Sequence, residues 1–170
     1  MTIALRRAEP DDAASIRAVH LSAFPTPAEA DLVEALERAG DAIISVVAER
    51  DGDPVGHVLL SRMAVSGQSR GYRALGLGPV AVLPAAQRHG VGAALVAAAL
   101  EQAAAGGEEL LFVLGDPAYY GRFGFSAECA APFASPYAGP HLMALRLRGD
   151  VPLPRAGKAD YAPAFAALDG

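Results

Sequence analysis

A single cysteine in 170 residues, Cys129, excludes an internal disulfide, and a single lysine, Lys158, excludes a P-loop, whose lysine follows a glycine near a helix start. None of His20, His57, His89 and His141 stands at metal-ligand spacing from another, so no metal is expected. There is no Lys/Arg cluster, and the net charge is −5, which argues against nucleic acid as a partner because phosphate neutralisation needs a basic surface. The longest nearly apolar run, Val91 to Ala105, is interrupted by Glu101 and Gln102 and falls short of the roughly 18 to 20 residues of a membrane span. Met1 to Arg7 carries charge without a following apolar core or cleavage signal, so neither secretory peptide nor anchor is indicated and a cytoplasmic location is expected.

What the chain has in quantity is apolar residues, 52 % of the whole, enough to bury one substantial core. A single domain over 1–170 is expected, with its core in about 1–148 and a tail at 149–170. Ile3 to Arg7 reads as a first strand, and Pro10-Asp11-Asp12 starts a helix over Ala13 to Leu21. Thr26-Pro27-Ala28-Glu29 has the form of a capping box with proline at the first helical position, ahead of a helix that ends at Gly40. Ile43 to Glu49 and Val55 to Arg62 flank the turn signal Asp51-Gly52-Asp53-Pro54 and predict a hairpin. Tyr72 to Val82 predicts a strand whose pairing is disturbed near Pro79, since proline cannot donate to a ladder. Gly90 to Ala105 predicts a helix, Leu110 to Leu114 a buried strand, Pro117 to Arg122 a short helix and His141 to Leu147 a last strand. The segment from Gly149 reads as a proline-containing tail.

The most informative stretch runs from Val80 to Ala93, where a strand passes through a short loop into a helix. Gly90 and Gly92 at the helix start let a ligand approach the backbone closely. First-turn amides have no acceptors within the helix and lie at the positive end of its dipole, so a pyrophosphate suits them. By itself Gly-x-Gly at such a junction also suits dinucleotide folds and plain tight turns.

The flanking residues add a resemblance. Gln87-Arg88-His89-Gly90-Val91-Gly92 is similar to the Gln/Arg-x-x-Gly-x-Gly/Ala signature of the GCN5-related N-acetyltransferases, and Val80-Ala81-Val82 with Pro84 resembles the strand before it. Tyr120-Gly121-Arg122-Phe123-Gly124-Phe125 matches the Tyr-x-x-x-Gly-Phe form found after that family's next strand. The fuller run from Leu114 to Phe125, and the ending Gly157 to Phe165, resemble a bacterial subgroup of the family.

The resemblance implies an α/β fold with a mixed, mostly antiparallel twisted sheet flanked by helices. It implies acetyl transfer from acetyl-coenzyme A to a primary amine of a small molecule or a protein, without metal. The amides of Arg88, His89, Gly90, Val91, Gly92 and Ala93 would hold the pyrophosphate, with Gln87 leading into the loop. Val80, Ala81 and Val82 would pair with pantetheine by strand addition, and an amide there would polarise the thioester carbonyl. Tyr120 matches the family's general acid: a phenol of ordinary pKa about 10 is protonated at neutral pH and donates better than water. The alternatives are an aromatic that only packs, and Tyr119 in its place.

The base is less legible, because Leu110 to Leu114 has no acid and Gly115-Asp116-Pro117 replaces the family's frequent asparagine. Glu29 is the candidate, with its capping-box role as the plain alternative. The missing acid also leaves room for a catalytically inactive, coenzyme-A-binding regulatory module. Phe24, Phe133 and Tyr137 are candidates for the acceptor pocket, His141 is a surface histidine or a pocket residue, and Arg122 is a surface charge or a partner for the adenosine phosphates. His20, at a helix C-terminus, reads as a dipole partner. His57 takes no assignment, Cys129 reads as a small packing residue, and a homodimer is among the possible assemblies.

Overall fold

The computed structural model describes residues 2–169. Its strands are β1 (Ile3–Arg7), β2 (Ala42–Arg50), β3 (Asp53–Ser66), β4 (Gly71–Val82), β5 (Leu110–Leu114), β6 (Phe133–Ala134), β7 (Leu142–Arg146) and β8 (Gly157–Asp160). Its helices are α1 (Ala13–Ala23), α2 (Ala28–Ala39), α3 (Val91–Ala105), α4 (Pro117–Tyr120) and α5 (Ala127–Ala130), and a 3-10 helix occupies Pro163–Asp169. The strand order is β1-β2-β3-β4-β5-β7, with β8 pairing β3 and β6. β1 with β2, β5 with β7 and β3 with β8 are antiparallel, while β4 with β5 and β6 with β8 are parallel. This is the mixed, mostly antiparallel architecture expected, with helices flanking the sheet. Among the described residues no helix is long and apolar enough to cross a membrane.

The chain forms two compact units, one from the residues up to Leu60 with Gly78–Glu101 and the C-terminal 3-10 helix, the other from Ser61–Leu77 with Gln102–Ala162. In the first, Asp51 and Gly52 both take positive φ, 52° and 83°, as a two-residue turn of primed type requires for a tight hairpin, here between β2 and β3. Asp53 and Pro54, expected in that turn, begin β3 instead. α3 buries Val91, Leu95, Val96, Ala99 and Ala103 along one face. It sits close to β3 because Gly56 has no side chain: a Cβ there would lie 2.9 Å from Leu95 Cδ1 and 3.2 Å from Val91 Cγ1. The start of α3, and the loop before it, are thereby fixed against a strand.

In the second unit the core gathers around Phe133, which meets Phe112 edge-on at 5.3 Å and Tyr72 at 6.0 Å between ring centroids. The segment after Gly149 is more than the loop expected of it. β8 joins β3 through the pairs Ala64↔Asp160 and Ser66↔Lys158. β6, β8 and α5 carry no periodic apolar signal, and the sequence reading does not contain them.

Candidate active site

The loop after β4 turns tightly into α3. Pro84–Ala86 forms a 3-10 turn, the Gln87 side chain donates from Nε2 to Val82 O at 2.9 Å, and this tie holds the end of the strand to the start of the loop. Arg88 (φ 66°) and Gly90 (φ 78°) are left-handed, a conformation that costs a residue with a Cβ about 1 kcal/mol or more. Their positive φ turns successive N–H groups inward as a nest. Gln87 N–H donates to Pro84 O and Ala94 N–H to Gly90 O. Among the described residues, the six amides between them, Arg88 to Ala93, donate to no main-chain carbonyl. These are the amides that the family resemblance implies for pyrophosphate, and they stand at the positive end of a 15-residue helix.

β4 supplies the strand before this loop. Its parallel register with β5 runs from Ala74↔Leu110 to Leu77↔Val113 and stops there, two residues short of Pro79. Gly78 has φ 129° and its bond to Pro79 is cis. Val80 and Val82 are half-buried and Ala81 is buried, so the strand continues past its last pair with β5.

In the second unit, Asp116 caps α4 by accepting from Ala118 N–H at 2.9 Å, and Pro117 fills the first helical position. Asp116 is thus used in placing the helix that carries Tyr120. The Tyr120 ring lies against Gly115, where a Cβ would come within 2.6 Å of Tyr120 Cε2, and edge-on to Phe125 at 6.0 Å. Burial, reinforced by Tyr119, raises the Tyr120 phenol above its ordinary pKa, so it carries its proton at neutral pH. Tyr119 is engaged otherwise: the Arg122 guanidinium stacks 4.4 Å from its ring and donates from Nε to its carbonyl at 3.0 Å. That contact, absent from the sequence reading, is where Arg122 goes.

α2 starts one residue later than the capping-box pattern requires: Pro27 is the N-cap, and Thr26 Oγ1 accepts from Ala28 N–H at 3.4 Å. Glu29 therefore does not close the box, and its Oε1 is buried with no hydrogen-bond partner among the described residues. Phe24 caps α1 and stacks on His20 at 6.0 Å. Phe133 is 2 % exposed and belongs to the packing described above. Tyr137 meets Tyr161 edge-on at 5.6 Å. His141 is exposed, its Nδ1 3.2 Å from Gly115 O, which puts it beside the glycine that seats Tyr120. Burial pushes the Cys129 thiol up, away from thiolate chemistry.

His20 and His57 are the surprise. Both are fully buried, His20 Nε2 lies 2.8 Å from His57 Nδ1, and His57 Nε2 lies 2.8 Å from Ser45 Oγ. Burial lowers His20 to about 4, and burial together with His20 lowers His57 to about 3. His20 is thus a core residue bonded to a second histidine, and its dipole role is displaced. Nothing in the spacing of residues 20, 45 and 57 reveals this chain.

An acetyltransferase (GNAT) domain model matches residues 4–127, more than half of the chain. The protein belongs to the GNAT acetyltransferase family. An uncharacterized N-acetyltransferase of Escherichia coli K12, YjhQ, is 36 % identical over 133 residues, covering 76 % of this chain and 73 % of the relative. Among solved structures, the GNAT family N-acetyltransferase YhbS of Escherichia coli in complex with CoA superposes with a TM-score of 0.84 at 29 % identity, over 96 % of this chain and 92 % of that one. A GNAT family acetyltransferase of Brucella melitensis in complex with acetyl-CoA gives 0.79 at 34 % identity, over 96 % and 98 %. In this chain the run Gln87 to Gly92 follows β4 and enters the first turn of α3.

Proposed function

We propose that this GNAT protein transfers the acetyl group of acetyl-CoA to a primary amine by direct attack, within a single acetyltransferase domain spanning 1–170. The observation that carries the reading is the run of six amides, Arg88 to Ala93, at the start of α3, which have no main-chain acceptors among the described residues. Solved relatives hold CoA or acetyl-CoA, which agrees with it. In this reading those amides receive the pyrophosphate, and the edge of Val80, Ala81 and Val82 takes pantetheine as an added strand.

The amine must arrive neutral, since only its lone pair can attack the thioester carbon. The C–N bond forms, the C–S bond breaks, and the sulfur that departs takes a proton. Tyr120 suits that last step, because its phenol is protonated and shielded. Glu29 suits the removal of the amine proton, directly or through water, because its buried oxygen has no other hydrogen-bond partner among the described residues. Phe24 and Tyr137 are proposed to border the acceptor, while Phe133 is assigned to packing. The run from Leu114 to Phe125 supports membership of the bacterial subgroup that it resembles.

The test is an acetyl-CoA consumption screen over small amines, amino acids and peptides, run with the wild type and Tyr120→Phe. Amine-dependent release of CoA that falls in the variant supports the reading. Binding of CoA with no turnover on any amine supports an inactive binding module in its place.

A further inference from the structure

We infer that a cavity beside α1, α2 and the β1–β2 edge is a second ligand site, for a free amino acid or similar zwitterion with an aliphatic body. The cavity has a volume of about 720 Å³, within the range of small-molecule sites. No residue from Val80 to Ala93 lines it, so it is not the acetyl-CoA site proposed above.

Its wall is apolar, with Ile16, Val33 and Ile43 contributing, and its charges balance as three arginines against three glutamates. One pair is already satisfied internally: Arg17 Nη1 lies 3.0 Å from Glu34 Oε1. Arg7, Arg38 and Glu37 also line the cavity and make no ion pair or side-chain hydrogen bond among the described residues. Cations and an anion that face one cavity without partners complement a molecule bearing both signs. The aliphatic wall between them takes its body.

Ser45 gives the site a built polar group. The chain His20–His57–Ser45 can be polarised in two directions. In one, Ser45 O–H donates to His57 and His57 to His20, which leaves a buried N–H at His20 Nδ1 without an acceptor, a rare and costly state. In the other, His20 Nε2–H donates to His57 Nδ1, and His57 Nε2–H donates to Ser45 Oγ. Only a bare acceptor lone pair is then orphaned. The second direction is favoured, and it holds Ser45 Oγ as an acceptor with its own O–H free to donate. A ligand carboxylate is the acceptor that this hydroxyl and the two arginines suit together.

The experiment is calorimetric titration of the full chain with L-leucine and L-norvaline, and with their deaminated acids and decarboxylated amines. Binding by the amino acids, weakened about tenfold or more when either charge is removed, is expected. Ser45→Ala should weaken it by a similar factor. Because Ser45 joins a buried chain, Ile43→Trp serves as a second variant: Ile43 is 40 % exposed on the cavity wall and is not a member of that hydrogen-bonded chain, and the larger ring takes up cavity space. Loss of binding in Ile43→Trp, with a cooperative melt retained, supports the site. Absence of binding at millimolar ligand, equal binding in Ile43→Trp, or equal binding by the acid or amine alone overturns the proposal.

Discussion

Tyr120 rests on Gly115 so closely that a single methyl group at residue 115 would lie 2.6 Å from Cε2 of the ring. The glycine is therefore part of what aims the tyrosine. If Tyr120 supplies the proton to the departing sulfur, Tyr120→Phe should lower turnover about a hundredfold or more while CoA affinity stays within about twofold. Gly115→Ala should push the ring aside and lower turnover with the hydroxyl still present. Steady-state kinetics paired with calorimetry reads both, and an unchanged kcat in Tyr120→Phe would remove the residue from the chemistry.

A second prediction concerns the loop. Gly90 is left-handed, and alanine there carries a penalty of about 1 to 2 kcal/mol. The loop should relax to avoid it and lose its array of amides, weakening CoA about five- to thirtyfold. Arg88 is also left-handed, so Arg88→Gly relieves strain and should leave the loop's conformation in place. CoA titration of the two variants should rank them in that order.

The buried histidines make stability depend on pH well above the carboxylate range. His20 and His57 are held at about 4 and about 3, against an ordinary value of 6.5, so the unfolded chain binds their protons first. Their neutral state stabilises the fold fully above pH 6.5, and that contribution is lost as pH falls toward the folded values. The melting temperature should fall between pH 7 and pH 5. His57→Gln should melt lower at pH 7 and show a flatter slope over the same interval. Equal slopes in the two proteins would refute the assignment.

Glu108 accounts for a separate, lower window. Burial alone would raise its carboxyl, but hydrogen bonds from Arg62 and Arg73 outweigh that and hold it below the ordinary value. Arg62 Nη1 is 2.6 Å from Oε1 and Arg73 Nη2 is 2.8 Å from Oε2. Glu108→Gln should cost about 1 to 3 kcal/mol, less than a fully buried pair because both arginines reach solvent. The stabilisation is complete above the unfolded value near 4.5 and is lost below it, as the folded carboxyl takes up its proton. Urea unfolding at pH 7 and pH 4 should show the variant's deficit at the higher pH and a smaller one at the lower.

The elements that the sequence shows best are those whose signal is local. α3 and its loop are legible because two glycines and a nearly apolar stretch need no tertiary context. His57 is not, because β3 is buried on both faces from Val55 to Met63 except at Arg62, which removes the alternation that would orient a side chain. β8 is opaque for the opposite reason: in Gly157-Lys158-Ala159-Asp160 only Ala159 is buried, and the strand exists through its partners β3 and β6. At Thr26 to Glu29 the motif is present and the helix starts one residue past it, so Glu29 is released from a capping role. Sequence spacing reaches the proposed cofactor loop and Tyr120. The buried chain from Ser45 to His20 depends on folding and lies beyond it.

The central claim is that the start of α3 holds acetyl-CoA for transfer, and calorimetric titration of the wild-type chain with CoA tests it most directly. One-to-one binding that weakens in Gly90→Ala, with a matching rise in melting temperature on CoA addition in the wild type, is the expected result. No heat of binding and no thermal protection by CoA would contradict the account.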